Sequence, residues 1–184
     1  QVEGIRLPGV FTMRTPDDAI ALRAYVQDRH CRSAVVVGAG FIGLEIAENL
    51  QAQGLAVTVI DAADQILPKI FDPEMAGYAR RRLRQNGIRV LTGTPLSEIT
   101  GMERADGVLA NGSRIGADLV VLAIGIRPAT TFLNGSGLAM EKGAIVVDEM
   151  MRTNIPDVYA VGDCANPFNI AKAIHAGNDA GRAV

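Results

Sequence analysis

Residues 33–61 read SAVVVGAGFIGLEIAENLQAQGLAVTVID, and the order of patterns along this stretch decides the fold. Ala34 to Val37 form a continuous apolar run with no polar alternation, as expected of a parallel strand buried on both faces. Gly38, Gly40 and Gly43 follow in G-x-G-x-x-G spacing, opening a helical pattern that predicts Ile42, Ile46 and Leu50 on one face. Gly54 ends that helix, and Val57, Val59 and Ile60 make a second strand that stops at Asp61.

Each part has a mechanical reason. Gly38 allows a tight strand-to-helix turn, Gly40 lets a pyrophosphate approach the backbone, and Gly43 lets helix and strand pack closely. The free amides and positive dipole at the helix start, from Gly40 to Ile42, face the phosphates. Asp61 stands where a carboxylate accepts hydrogen bonds from an adenosine ribose. It would repel a 2′-phosphate, and the next residues, Ala62, Ala63, Asp64 and Gln65, supply no cation. The expected ligand is therefore a dinucleotide, NADH in preference to NADPH.

Bulk properties fit this reading. The chain has 184 residues, 48% hydrophobic and 21% charged, which suits one domain or one and a part. A net charge of −2 gives no reason to expect nucleic acid or an anionic membrane surface. No apolar run approaches the roughly 20 residues of a membrane span, and no signal-peptide pattern is present, so the cytoplasm is the expected location. Cys31 and Cys164 lie far apart without C-x-x-C spacing, so two reduced thiols are expected, with no disulfide and no metal site.

Residues 1–15 read as a connector with a short strand over Val10–Met13, and the chain is expected to enter mid-protein. Thr15, Pro16, Asp17 and Asp18 predict a helix start, with Ile20, Ala24 and Tyr25 as the buried stripe and His30 closing the far end. After a loop containing Pro68, Pro73 opens another helix running to about Asn86. Met75, Ala79 and Leu83 form its predicted inner face, and Gly87 stops it. Arg80, Arg81, Arg82 and Arg84 read as a solvated face complementing the helix dipole rather than as a phosphate site. Ile88–Leu91 is a third strand. Segments around 96–99, 107–110 and 113–115, with Asn111-Gly112 as a turn signal, predict a small antiparallel meander. Asp118–Gly125 returns to the sheet. Beyond it, Ile145–Val147 and Val158–Val161 are strand-like. Gly162-Asp163 follows at a carboxyl end, where Asp163 either accepts hydrogen bonds from ligand hydroxyls or caps the next helix.

The order of motifs resembles the pyridine nucleotide-disulfide oxidoreductases, the two-dinucleotide flavoproteins. VVGAGFIGLE with Asp61 is similar to that family's NAD motif, LAIGIRP to the loop closing its NAD domain, and TNIPDVYAVGDCA to its second flavin motif. GFIGLEIAENL and ILPKIFDPEMA resemble most the coenzyme A-disulfide reductase, NADH oxidase and NADH peroxidase branch. The resemblance implies a Rossmann-like three-layer α/β NAD-binding domain over 10–126 with the meander inserted. It also implies the C-terminal part of an incomplete FAD-binding domain over 127–184. Phe41 then matches an aromatic gate beside flavin and nicotinamide, Glu45 the acid near the nicotinamide, and Gly125 a loop lining the cleft. Gly162 and Asp163 match the site that holds the ribityl chain of FAD. The first flavin motif, the redox-cysteine segment and the dimerisation domain have no counterpart in this chain. The expectation is a central fragment of an FAD-dependent NADH oxidoreductase, homodimeric when full length and inactive alone. Electrons would pass to a disulfide, peroxide or oxygen. The alternatives are a ferredoxin- or rubredoxin-type reductase and a non-catalytic NADH sensor. The apolar strand around Val158, Tyr159 and Val161 is expected at an open sheet edge, covered by the NAD domain or by another chain.

Overall fold

The computed structural model describes residues 2–68, 70–125 and 127–166. The chain divides into two compact units, Gln1–Gly125 and Ile126–Val184.

In the first unit, β1 (Val10–Thr12) and α1 (Pro16–Asp28) lead into β2 (Ser33–Val37), α2 (Phe41–Ala52) and β3 (Ala56–Ile60). Then come α3 (Pro73–Gln85), β4 (Arg89–Leu91), the meander β5 (Leu96–Thr100), β6 (Gly107–Ala110) and β7 (Ser113–Gly116), and β8 (Leu119–Leu122). The central sheet has the order β1-β8-β2-β3-β4, and every pair is parallel.

Successive side chains of a strand point to opposite faces, so a run apolar at every position needs cover on both sides. One face, with Ala34, Val36, Val57, Val59, Leu119 and Val121, packs under Leu22 and Val26 of α1, Ile46 and Leu50 of α2, and Ala76 and Leu83 of α3. The other, with Val35, Val37, Ile60, Val120 and Leu122, packs against Ile99, Ala105, Val108 and Ala110 of the meander region. The result is a Rossmann-like α/β unit of three layers: helices, parallel sheet, meander.

Boundaries follow the local chemistry. Thr15 and Asp18 form a reciprocal capping box at the start of α1. Asp72 caps α3 through the amide of Met75. Asn111 and Gly112 both take positive φ, as the tight turn between β6 and β7 requires. His30 follows the C-cap Arg29 in the left-handed region, and its backbone rather than its imidazole closes α1, by bonding the carbonyl of Gln27. The opening connector is fastened to the meander, with the Ile99 amide donating to Glu3 and the Ala105 amide to Pro8.

Three predicted helix faces are corrected. In α1, Ile20 and Ala24 are exposed and Leu22 and Val26 are buried. In α2, Ile42 points outward, and Gly43, Ile46, Ala47 and Leu50 form the inner face. In α3, Met75 is exposed and Ala76 takes its place beside Leu83. Two predicted positions in α1 and one each in α2 and α3 lie one or two residues from the buried one, a displacement of about 100° per residue around the axis.

At the amino edge of the sheet, one oxygen of Asp118 accepts from the Arg32 and Ser33 amides and from the Ser33 hydroxyl, tying the start of β8 to that of β2. Partial burial pushes this carboxyl up. The hydrogen bonds and the nearby Arg104 outweigh it and hold Asp118 below the ordinary aspartate value. Burial, reinforced by Asp118, raises the neighbouring Cys31 thiol.

The second unit contains β9 (Met140–Glu141), β10 (Ala144–Val146) and β11 (Ala165–Asn166) in the order β11-β10-β9. Among the described residues its core gathers Ile145, Ala160 and Ala165, with Leu133, Leu138, Val147 and Cys164 packed on them. Polar side chains bonded to backbone also tie its loops. The buried Thr130 hydroxyl donates to the Gly143 carbonyl at 2.5 Å. Asn154 donates to Gly137 at 2.8 Å and accepts from the Ala139 amide at 2.7 Å. The expected strand over Val158–Val161 is corrected. The segment makes a single bridge, Tyr159 to Arg152, and Val158, Tyr159 and Val161 are exposed around the buried Ala160.

Candidate functional site

The carboxyl ends of β2, β3 and β8 meet at one glycine turn, on the edge at which open α/β sheets place ligands. Gly38 leaves β2 at φ +110°, and a Cβ there would stand 2.3 Å from the carbonyl oxygen of Ala123, just past β8. A Cβ on Gly43 would stand 1.9 Å from the Gly38 carbonyl oxygen. Both residues are therefore glycines for steric reasons internal to the fold. Gly40 differs. Its backbone is extended and nothing lies within 4 Å of where its Cβ would be. The packing of the fold gives no steric reason for glycine here.

Gly40 is also the N-cap of α2, with no side chain closing it and no acid in the first turn. Since the opening amides of an α-helix have no partner within the helix, this end is left to bond an anion.

Asp61, at the end of β3, is brought against this turn. One oxygen accepts from the Ala39 amide at 2.6 Å and the other from the Ala63 amide at 2.8 Å. Each carboxylate oxygen has a second lone-pair direction for a ligand hydroxyl. Loop residues 62–68 fold back onto the turn, with the Leu67 amide donating to the Ala39 carbonyl at 3.1 Å. Sequence reasoning missed Leu67 altogether; its signal is a positive φ that residue type does not advertise.

The remaining expected residues divide by location. Phe41 and Ile42 are 48% and 42% exposed at the start of α2, apolar side chains left at the mouth of the turn. Glu45 is exposed one turn further along. Gly125 takes φ +99° just beyond β8, next to the exposed Ile124; Ile126, within the same loop motif, lies outside the described residues. These belong to the first unit, with Gly38, Gly40, Gly43 and Asp61. Gly162 and Asp163 belong to the second, where they open a short 3-10 helix over Gly162–Cys164. Gly162 has φ +80° with open space around its would-be Cβ, and Asp163 is exposed. The helix expected after Asp163 lies outside the described residues. Both cysteines are free, and no cluster of metal-ligating side chains occurs among the described residues.

The chain belongs to the pyridine nucleotide-disulphide oxidoreductase family, whose model matches residues 1–180. It is 42% identical over 163 residues to the NADH oxidase of Methanocaldococcus jannaschii, covering 89% of this chain and 36% of that protein. An NAD-dependent persulfide reductase from A. fulgidus matches with a TM-score of 0.88 at 35% identity, over 98% of this chain and 36% of that one. The water-forming NADH oxidase from Lactobacillus brevis, bound to NADH, matches with a TM-score of 0.83 at 29% identity, over 99% and 42%. An engineered mutant of it is a water-forming NADPH oxidase bound to NADPH. Its five replacements fall on a glycine, an aspartate, an alanine, a methionine and a proline. Gly43, Asp61, Ala62, Ala63 and Pro68 stand at the same spacing here, differing in type only at Ala63. This chain thus spans well under half the length of these three proteins.

Proposed function

We propose that this chain is the NADH-binding segment of a flavoprotein oxidoreductase, with 10–126 holding NADH and 127–184 contributing part of an FAD site. The observation that carries the reading is the meeting of an uncapped, sterically open glycine turn with the Asp61 carboxylate. When bound, the two cofactors supply hydride transfer from NADH to FAD and onward delivery of electrons to a disulfide, peroxide or oxygen. The chain's own residues bind and orient. The first-turn amides of α2 and the Gly40 backbone receive the pyrophosphate, and Asp61 receives the adenosine ribose hydroxyls. Ile42 adds its amide to the phosphate end, Phe41 and Glu45 flank the nicotinamide, and Gly125 lines the cleft. Gly162 and Asp163 take hydroxyls of the flavin's ribityl chain.

NADH is favoured over NADPH because Asp61 carries a negative charge where a 2′-phosphate would sit and no cation offsets it. The spacing shared with the engineered NADPH oxidase supports the same assignment. The full-length protein is proposed to be a homodimer of the cytoplasm. The test is the double variant Asp61→Ala with Ala62→Arg, titrated with both nucleotides. NADH affinity should fall and NADPH affinity rise, each by about tenfold, equal to about 1.4 kcal/mol. An unchanged preference would reject the ribose assignment.

A further inference from the structure

Leu67 combines three features that rarely coincide. It takes φ +48°, a left-handed backbone uncommon for any residue but glycine. Pro68 follows it, which biases it further toward an extended conformation. It is also buried, at 6% exposure, and held at both peptide groups: its amide donates to Ala39, and its carbonyl accepts from the Ile70 and Phe71 amides at 3.0 Å each. A backbone held in a disfavoured conformation persists only where its surroundings impose it, and such residues cluster at ligand sites.

What the conformation achieves is visible at Ala39, itself fully buried. The Asp61 carboxylate takes its amide, and the Leu67 amide takes its carbonyl. A trans peptide is planar, with its carbonyl and N–H pointing in opposite directions. Fixing the Ala39 carbonyl toward Leu67 therefore turns the Gly40 N–H away from Leu67.

We propose that Leu67 is a positioning residue: its strained backbone locks the Ala39–Gly40 peptide so that the Gly40 N–H is presented to the pyrophosphate before it binds. This rests on the dinucleotide reading of the turn and adds how the turn is preorganised. It also accounts for why the loop ending at Pro68 bears on the cofactor site at all.

Leucine and methionine are unbranched at Cβ, whereas isoleucine has leucine's size but is branched there, where positive φ is a severe outlier. The experiment compares the parent chain with Leu67→Met and Leu67→Ile by NADH calorimetry, thermal melting and amide exchange at Leu67 and Gly40. Leu67→Met should bind within about twofold of the parent, and Leu67→Ile about tenfold more weakly, in line with the usual size of such backbone strain. Leu67→Ile should still melt cooperatively, with the Leu67-position amide losing its exchange protection. Equal NADH affinity in the two variants, or unchanged protection, would overturn the proposal. Should the parent bind no dinucleotide, the functional reading fails separately. The lock then stands if protection is lost in Leu67→Ile alone and falls if all three chains match.

Discussion

The two units solve the same problem with different means. Unit Gln1–Gly125 rests on five parallel strands covered on both faces, so stability is spread over many buried aliphatic side chains. In the described part of unit Ile126–Val184, a few apolar residues cluster while Thr130, Asn154 and Asp148 tie loops together through the backbone. The lesson is that the first unit tolerates loss of single polar contacts but not of the glycines that bring β2, α2 and β8 together. The described part of the second is expected to respond to loss of individual hydrogen bonds.

The sharpest way to break that contrast is Gly38→Ala. The added Cβ meets the Ala123 carbonyl, and φ +110° is strained for alanine, so a loss of at least about 3 kcal/mol is expected in urea unfolding. Gly43→Ala should cost somewhat less: its Cβ would meet the Gly38 carbonyl oxygen, but its helical backbone is one alanine adopts freely. Asn154→Ala removes two backbone anchors from the second unit. An effect of about 1–2 kcal/mol is expected, read as faster exchange at the Ala139 amide with the first unit's strands unaffected. The smallest structural effect belongs to Gly40→Ala: under about 1 kcal/mol in stability, the cost of alanine at an N-cap where nothing occupies the space, yet about tenfold weaker NADH binding. A glycine that matters for ligand but not for fold would separate the site from the scaffold that carries it.

The same contrast explains what the sequence revealed. Ala34–Val37 and Leu119–Leu122 are legible because two-faced burial leaves an apolar run that few other structures produce. The glycine spacing and Asp61 are legible because strand, turn, helix and acid lie within one local unit. Helix faces were displaced at Ile20, Ile42 and Met75 because short helices carry apolar residues on more than one side and tertiary packing chooses among them. Val158–Val161 misled for a related reason: β-branched and aromatic residues favour strands, but a strand also needs a neighbour to pair with. Leu67 is illegible because positive φ at a leucine leaves no mark in residue type, and its long-range bond to Ala39 is a matter of tertiary structure.

The most direct test of the central claim is a calorimetric titration of the 184-residue chain with NADH and with NADPH. NADH should bind at least about tenfold more tightly, a difference of about 1.4 kcal/mol set by the charge of Asp61. Equal affinities, a preference for NADPH, or binding of neither would contradict the assignment of this glycine turn and its carboxylate as an NADH site.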